Sequence, residues 1–147
     1  MSNIYLASDH AGFALKEALK QYLSGLGYHM EDMGALVLDP EDDYPDFVRL
    51  AAHRVATDED SRGIILGKSG QGEAMAANRI KGARAAVYYG GNEDIPRLAR
   101  EHNNANILSL GAGFLSEEEA KRAVDIFLAT EFSGESRHLR RIAKLDI

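Results

Sequence analysis

The chain has 147 residues, a formal net charge of -6 at pH 7, 45% hydrophobic residues and 27% charged residues. These values are typical of one soluble globular domain, predicted here to span residues 1–147. The excess of acidic residues argues against general nucleic-acid binding. No apolar run is long enough to predict a transmembrane helix, and no signal peptide is expected at the N-terminus. The absence of cysteine excludes disulfides and thiolate metal sites, and it suits a cytoplasmic protein.

Strands and helices are predicted to alternate along the chain. Strands are expected at 3–7, 28–33, 63–66, 84–89 and 105–110. Helices are expected at about 13–23, 45–56, 73–80, 94–101, 116–130 and 137–145. Pro45 suits the first turn of its helix, and Ser116 with Glu119 forms a capping box. This alternation implies right-handed crossovers and a mostly parallel five-stranded sheet covered by helices on both faces, a Rossmann-like (flavodoxin-like) α/β domain.

The most informative stretch runs from Arg62 to Gly82 and consists of a buried strand, a loop with three glycines in six residues, and a helix. A nucleotide-binding P-loop would need glycine at position 62, and the order G-x-x-G-x-G differs from the dinucleotide-binding pattern. A strand, glycine loop and helix place an anion on backbone amides. Glu73 in the first helical turn would repel a phosphate, but not an oxyanion that forms as Glu73 takes a proton. The alternative is a structural turn in which Glu73 only complements the helix dipole.

Several candidate groups follow strands and are therefore expected at the carboxyl ends of a parallel sheet, where sites form. These are Asp9, His10, the loop 67–73 and the turn 111–113, with His102 grouped beside them. Glu73 would act as a general base, and backbone amides of the loop would hold the oxyanion. The alternatives are a helix cap for Asp9, an ordinary exposed histidine for His10, and a favourable helix C-terminus for His102.

The C-terminal segment predicts a short basic helix in an otherwise acidic chain. Arg137 and Arg141 lie four residues apart and so share one helix face. Guanidinium groups match phosphate geometry, which predicts a phosphate clamp, whereas the alternative is a solvated basic helix end. No histidine pair or carboxylate set has the spacing of metal ligands, so no metal site is predicted.

Six motifs fall in order along nearly the full length of the chain. They are Ser8–Gly12, Asp43–Asp46, Gly70–Glu73, Ala76–Arg79, Arg100–Ala105 and Arg137–Arg141. Together they resemble ribose-5-phosphate isomerase type B and its galactose-6-phosphate and allose-6-phosphate isomerase relatives. Many members carry a cysteine base just before the glycine loop. This chain has Gly67 near there and resembles the branch in which Glu73 takes that role.

The resemblance implies a metal-free and cofactor-free interconversion of ribose 5-phosphate and ribulose 5-phosphate through a cis-enediolate. It implies that His102 with Asp9 opens the sugar ring and that Glu73 carries the proton between C1 and C2. The enediolate oxygens would be held by Ser69 and the amides of Gly70, Gln71 and Gly72, assisted by Asn103. The phosphate would be bound by His10, Arg137 and Arg141, and Tyr44 would line the pocket. The family works as a dimer, often paired into tetramers, with His102 supplied by the neighbouring chain.

Two positions depart from the pattern of the family. Many members have arginine where this chain has Gly113, and Lys68 occupies a position usually held by glycine. These departures leave isomerisation of another aldose phosphate, of the allose or galactose 6-phosphate type, as the alternative within enzymes. From a different class, the site would be a non-catalytic sugar-phosphate-binding module, which has no use for a base facing a substrate carbon.

Overall fold

The computed structural model describes residues 2–147, which form five strands and six α-helices. The strands are Ile4–Ser8 (β1), Met30–Asp32 (β2), Arg62–Gly67 (β3), Ala85–Tyr88 (β4) and Ile107–Gly111 (β5). The helices are Phe13–Gly25 (α1), Tyr44–Ala56 (α2), Gln71–Ala77 (α3), Asp94–Asn103 (α4), Glu117–Ala129 (α5) and Ser136–Ile142 (α6). A single 3-10 turn, His10–Gly12, precedes α1. Within residues 2–147, no helix combines the length and apolar character needed to cross a bilayer.

All five strands belong to one sheet in the order β2-β1-β3-β5-β4, and every neighbouring pair is parallel. The expectation of a mostly parallel sheet is therefore confirmed. The last two strands exchange places relative to chain order, so that β5 lies between β3 and β4. All strands run the same way, and the sheet thus has a carboxyl edge, where β1, β3 and β5 end, and an amino edge, where they begin.

The helices cover both faces of the sheet, as a parallel sheet requires. One apolar core lies under α1, α4 and α5 and includes Leu19, Ala99 and Phe127. The other lies under α2 and α3 and includes Val48 and Ala77. The crossovers from β2 to β3 and from β3 to β4 move one way along the sheet, whereas those through α1 and α4 move the other way. Right-handed crossovers in opposite directions place their helices on opposite faces.

Element boundaries differ from the predicted ones by a few residues, for identifiable reasons. The helix after the glycine loop ends at Ala77 rather than at residue 80, because the side chain of Asn78 bonds to β4 instead. Its Nδ2 donates to the Ala85 carbonyl at 3.1 Å, and its Oδ1 accepts from the Ala85 amide at 2.8 Å. The capping box is confirmed, since Ser116 Oγ accepts from the Glu119 amide and the Glu119 carboxylate accepts from the Ser116 amide.

Candidate active site

The glycine loop lies against the turn that follows β5 at the carboxyl edge. The amide of Ala112 donates to the Gly67 carbonyl at 2.8 Å, and the amide of Gly113 donates to the Lys68 carbonyl at 2.9 Å. The 3-10 turn after β1 approaches the same place, since a Cβ added to Gly12 would lie 2.7 Å from the Cβ of Leu66 in β3. The segments after β1, β3 and β5 therefore share one edge, as the alternation of strands and helices predicts.

The loop itself is held in one shape by hydrogen bonds. Gly70 has a φ of 79°, a left-handed conformation that favours glycine, and its carbonyl accepts from Ser109 Oγ at 2.7 Å. Ser69 Oγ accepts from the Gln71 amide at 3.2 Å, so the Gln71 amide is already engaged. The Gly72 amide has no hydrogen-bond acceptor among residues 2–147. Of the loop amides assigned to an oxyanion, Gly72 is thus freer than Gln71.

Glu73 is the buried carboxyl at the centre of this edge, with 4% of its surface exposed. A Cβ added to Gly67 would collide with the Glu73 carboxylate, so the carboxylate occupies the space that any side chain at 67 would need. Burial raises the pKa of Glu73, and the nearby charge of Asp9 raises it further, while the amides of Gly70 and Glu73 act in the opposite direction. A carboxyl group with a raised pKa beside the free Gly72 amide is suited to moving a proton.

Tyr44, the first residue of α2, lies over the glycine loop. A Cβ added to Gly72 would collide with the Tyr44 hydroxyl, which places the phenol directly beside the free Gly72 amide. Tyr44 is half-buried, so one part of the ring packs and another faces the opening. The expectation that Tyr44 lines the substrate pocket stays a prediction, and this position beside the glycine loop is compatible with it.

Asp9 performs the capping role that sequence reasoning offered as its structural alternative. Its Oδ1 accepts from the amides of Ala11 and Gly12 at 3.0 and 3.4 Å, at the start of the 3-10 turn. The Oδ2 atom makes no hydrogen bond with residues 2–147. Capping therefore uses one oxygen and leaves the other available to a ligand, while fixing the carboxylate close enough to influence Glu73.

His10 is held by Asp42, a residue that the sequence did not single out. Asp42 Oδ1 lies 2.7 Å from His10 Nδ1 and accepts from the His10 amide at 3.0 Å. The Asp42 side chain is only 7% exposed, and its Oδ2 is buried without a partner among residues 2–147. The hydrogen bond from Asp42 raises the pKa of His10, and the charge of Asp9 adds to this effect. The pair fixes the ring with Nδ1 turned inward, which leaves Nε2 for a ligand.

Asp9, His10 and Asp42 each offer one potential metal-ligand atom, and these three atoms lie within 4.8 Å of one another. Sequence spacing does not reveal this cluster, because Asp42 is brought to the 3-10 turn from 32 positions away. The expectation that the chain has no metal site stays a prediction. Hydrogen bonds among the protein groups account for the arrangement. Asp9 Oδ1 is engaged by two amides, and Asp42 Oδ1 by His10.

The remaining candidates lie at the amino edge and not with Glu73. His102 and Asn103 end α4, which leads into the start of β5. The five residues of β5 separate the two edges by about 15 Å. Grouping His102 on one edge with Asp9 and His10 within a single chain is therefore wrong, and the reason is topological. A helix that precedes a parallel strand ends beside the start of that strand.

The C-terminal helix α6 packs at the same end of the molecule as His102. The rings of His102 and His138 stack with centroids 4.5 Å apart and planes 16° from parallel. Burial lowers the pKa of His138, and the neighbouring His102 lowers it further. Arg137 and Arg141 are exposed, and Arg137 Nε donates to Glu135 at 3.0 Å. Arg137 and Arg141, the tail arginines, therefore lie at the same end of the molecule as His102. This end is opposite to the carboxyl edge.

The structure also explains the unusual pair at 68 and 113. A Cβ added to Gly113 would lie 2.9 Å from Lys68 Cγ and 3.0 Å from the Lys68 carbonyl oxygen. The stem of Lys68 therefore lies over Gly113 and fills the space that a longer residue there would need. Sequence spacing gave no signal of this contact, because the two residues meet only through the pairing of β3 with β5.

Comparison with known proteins identifies the family of this chain. The family described as Ribose/Galactose Isomerase matches residues 4–145. This chain belongs to that family. Ribose-5-phosphate isomerase B from Mycolicibacterium paratuberculosis is 45% identical over 139 residues, which cover 95% of this chain and 86% of the relative.

Solved structures of family members have the same fold. The ribose 5-phosphate isomerase from Thermotoga maritima superposes with a TM-score of 0.92 at 45% identity and covers 99% of this chain and 97% of its own. Ribose-5-phosphate isomerase B from Mycoplasma genitalium, solved with bound ribulose-5-phosphate, has a TM-score of 0.92 at 41% identity, covering 97% and 93% of the two chains. The Rossmann-like α/β expectation and the isomerase resemblance are both confirmed.

Proposed function

We propose that this protein interconverts D-ribose 5-phosphate and D-ribulose 5-phosphate, with Glu73 as the base that moves the proton. The observation that carries the proposal is the position of the Glu73 carboxylate over Gly67. Family resemblance places a cysteine base near that position in many members, and here a carboxyl group fills the same space. Family members that act on ribose 5-phosphate are similar to this chain over almost its whole length.

The chemistry needs one base and one anion-stabilising surface. Glu73 takes the proton from C2 of the open-chain aldose, the C–H electron pair forms the C1–C2 double bond, and the negative charge moves to O1. The protonated Glu73 then returns that proton to C1, while the O2 hydroxyl proton passes to O1 and leaves a carbonyl at C2. In the proposed mechanism the Gly72 amide and Ser69 hold the enediolate oxygens, since fixed donors stabilise charge that develops in the transition state.

Ring opening comes first, because the furanose form has no carbonyl at C1. Asp9 supplies a carboxylate at the carboxyl edge, beside Glu73. His102 is assigned to the same step by the family resemblance, together with Asn103, which would assist the enediolate oxygens. Both lie at the opposite edge of their own chain. A complete site therefore needs the carboxyl edge of one chain and the amino edge of another.

We therefore assign the active site to a homodimer, either alone or as half of a dimer of dimers. In this arrangement the phosphate in each pocket would be bound by His10 of one chain and by the C-terminal helix of the other chain, through its Arg137 and Arg141. Large apolar side chains exposed on the single chain support a partner surface. Met75, Phe114 and Leu139 are 62%, 60% and 52% exposed.

Lys68 supports ribose 5-phosphate as the substrate despite the missing arginine. Its stem covers Gly113, the position where many members have arginine. The ammonium group of Lys68 therefore replaces the positive charge that is lost there. The alternative substrates, allose or galactose 6-phosphate, carry one more carbon between the reacting centre and the phosphate, and would need the two charged ends of the pocket farther apart.

A single experiment tests the reaction and its substrate. The protein is incubated in D2O with ribose 5-phosphate, allose 6-phosphate or galactose 6-phosphate, and both the ketose product and deuterium at C1 are measured. We expect turnover and deuterium incorporation with ribose 5-phosphate and much slower reaction with both hexose phosphates. Preference for a hexose phosphate would move the assignment to the alternative isomerase. Saturable binding without exchange would make the protein a sugar-phosphate-binding module.

We assign the reaction to the cytoplasm, in keeping with a chain that has no cysteine.

A further inference from the structure

A second concave site opens at the amino edge of the sheet, on the side of the molecule opposite to Glu73. This cleft has a volume of about 730 Å³, a size typical of small-molecule sites. It lies beneath the starts of β1 and β3 and beside the end of α5. Its lining is mostly polar, and three arginines contribute to it: Arg62, Arg84 and Arg100. None of the three has a role in the proposed isomerase reaction.

Backbone oxygens fix these guanidinium groups in place. Arg100 donates from Nε to the Thr130 carbonyl at 3.0 Å and from Nη1 to the Ala105 carbonyl at 2.6 Å. Arg84 Nε donates to the Asn104 carbonyl at 2.8 Å. Arg62 donates from Nη1 to the carbonyl of the preceding residue, also at 2.8 Å. In each arginine the Nη2 group has no acceptor among residues 2–147, so donors remain free while the side chains are already ordered.

The three charges lack close counterions. No carboxylate among the described residues lies within 4.0 Å of any of the three guanidinium groups. Burial lowers the pKa of Arg62 and Arg84, and it lowers the pKa of Arg100 to about 10. Arg62 and Arg84 also lower the pKa of Arg100 by repulsion, so the groups are close enough to destabilise one another. An anion placed between them would relieve this repulsion.

Carboxylates are present at the mouth of the cleft but are poorly placed to neutralise it. Glu59, Asp60 and Glu131 line the opening, and all three are exposed. Water and salt screen exposed charges strongly, whereas a desolvated charge is screened much less. The potential at the floor is therefore set by the arginines, and the carboxylates at the mouth weaken the binding of an anion without preventing it.

We propose that this arginine cleft binds a small molecule through a phosphate group, at a site separate from the proposed catalytic pocket. Guanidinium forks bind phosphate oxygens in pairs, and each of the three arginines that line the cleft keeps its Nη2 group free. The cleft is larger than a single phosphate ion, which fits a phosphate ester or a diphosphate. The Arg100 side chain points away from His102, because two residues rotate an α-helix by about 200°.

Titration with inorganic pyrophosphate tests the cleft directly. The ¹⁵N-labelled full chain carrying Arg137→Ala and Arg141→Ala is used, because these changes remove the proposed substrate-phosphate contacts. We expect saturable shifts of the Nε–H signals of Arg84 and Arg100. Adding Arg62→Gln should weaken pyrophosphate binding about tenfold or more, since it removes a charge-assisted contact. Arg122→Gln, an exposed change of equal charge on α5, is the matched control and should leave the affinity unchanged.

A second variant acts in the opposite direction and does not depend on how Arg62→Gln folds. Glu131→Gln removes an exposed carboxylate from the mouth and should tighten pyrophosphate binding severalfold. Shifts that never saturate, or an affinity insensitive to both Arg62→Gln and Glu131→Gln, would overturn the proposal. With the native tail, Arg62→Gln should keep the kcat and KM of isomerisation; lost activity in a folded variant would place Arg62 in the catalytic site and equally overturn a separate cleft. Failure of ribose 5-phosphate turnover in the unmodified protein would instead count against the proposed function alone.

Discussion

Burial gives the Glu73 carboxyl group its raised pKa, and the same burial makes it the best-placed base at the carboxyl edge. We expect Glu73→Gln to keep the fold and substrate binding but to lower kcat by about 10²–10⁴-fold, because amide nitrogen and oxygen cannot carry the proton. Steady-state rates with ribose 5-phosphate measure this effect. A loss smaller than about tenfold would identify another base.

The raised pKa of Glu73 also has a consequence for stability. A group whose pKa is higher in the folded than in the unfolded protein contributes stability below its ordinary pKa and loses it as pH rises through the folded value. Glutamine stays neutral at every pH and does not undergo this loss. The Tm of Glu73→Gln minus the Tm of the unmodified protein should therefore increase as the pH is raised from 4 to 8. Equal pH dependence of the two melting temperatures would show that burial does not disfavour the charged carboxylate.

Asp42 contacts His10, and we expect it to affect substrate binding through that ring. This role can be separated from a purely structural one. Asp42→Asn should lower the pKa of His10, because it removes the carboxylate that raises it. If protonated His10 binds the phosphate, the KM should then begin to rise at a lower pH than in the unmodified protein, with kcat little changed. Profiles of KM and kcat between pH 5 and pH 9 test this. A uniform loss at every pH would indicate a folding defect instead.

Lys68 and Gly113 are expected to behave as a coupled pair. Lys68→Gly should raise the KM for ribose 5-phosphate about tenfold or more, because it removes the proposed charge-assisted contact. Gly113→Arg alone should lower Tm, since its Cβ would lie 2.9 Å from Lys68 Cγ. The double variant removes the contact with Lys68 Cγ and restores a positive charge, so it should recover KM. It should recover only part of the lost Tm, because the Cβ at position 113 still lies 3.0 Å from the carbonyl oxygen of residue 68. Independent, additive effects would contradict the compensation.

At the scale of elements, α6 is a short helix that presents exposed arginines. It has seven residues, and Arg137 and Arg141 both project from it into solvent. The stacking of His138 on His102 is the contact that fixes it beside α4. A short exposed helix carrying two arginines gains little from its Glu135 ion pair, because exposed pairs contribute only about 0–1 kcal/mol. Its arginines are thus available for a ligand.

Arg137→Ala and Arg141→Ala should each raise KM far more than they lower kcat. A phosphate remote from the reacting carbons is held equally in the ground and transition states. Removing one arginine contact to it therefore weakens the binding of both states alike, which raises KM and leaves kcat unchanged. The expected change in KM is about ten- to a hundredfold for each variant. Arg140→Ala, in the same exposed helix, serves as the control. A fall in kcat alone would show that the tail does more than bind phosphate.

For the whole molecule, the separation of Glu73 from His102 by the length of β5 is the decisive fact. Suppose that Glu73→Gln and His102→Asn chains, each nearly inactive, are unfolded together in equal amounts and refolded. Half of the random dimers are mixed, and each holds one pocket with both residues intact. About a quarter of the unmodified activity should return, as expected for two-fold pairing. No recovery, with mixed dimers demonstrated by mass, would refute the shared site.

Much of the fold follows from local patterns in the sequence. Alternating apolar runs and amphipathic segments predict the parallel sheet, and all five strands and six helices lie where they are expected to within a few residues. The glycine loop and Glu73 are also visible in the sequence, because positive φ at Gly70 and the crowding of Gly67 by Glu73 leave little choice of residue. These features depend on neighbours in the chain, which is why they can be read without coordinates.

Other features were decided only when distant segments met. Asp42 reaches His10 across 32 residues, and Lys68 meets Gly113 only through strand pairing. Lys16 is fully buried in α1, where Asp32 Oδ1 and the Ala35 carbonyl accept hydrogen bonds from its Nζ at 2.8 and 2.6 Å. A buried charge is tolerated only where partners converge on it.

The division of the candidate site residues between two edges of the sheet also depends on how distant segments fold together. The sequence determined by itself which side chains have the chemistry for isomerisation, since their types and motifs are local properties. It did not determine that His102 and the tail arginines lie at the edge of the sheet opposite to Glu73, because that depends on the direction of every strand in the sheet. The tertiary structure alone decided that the two groups of candidate residues lie at opposite edges of one chain.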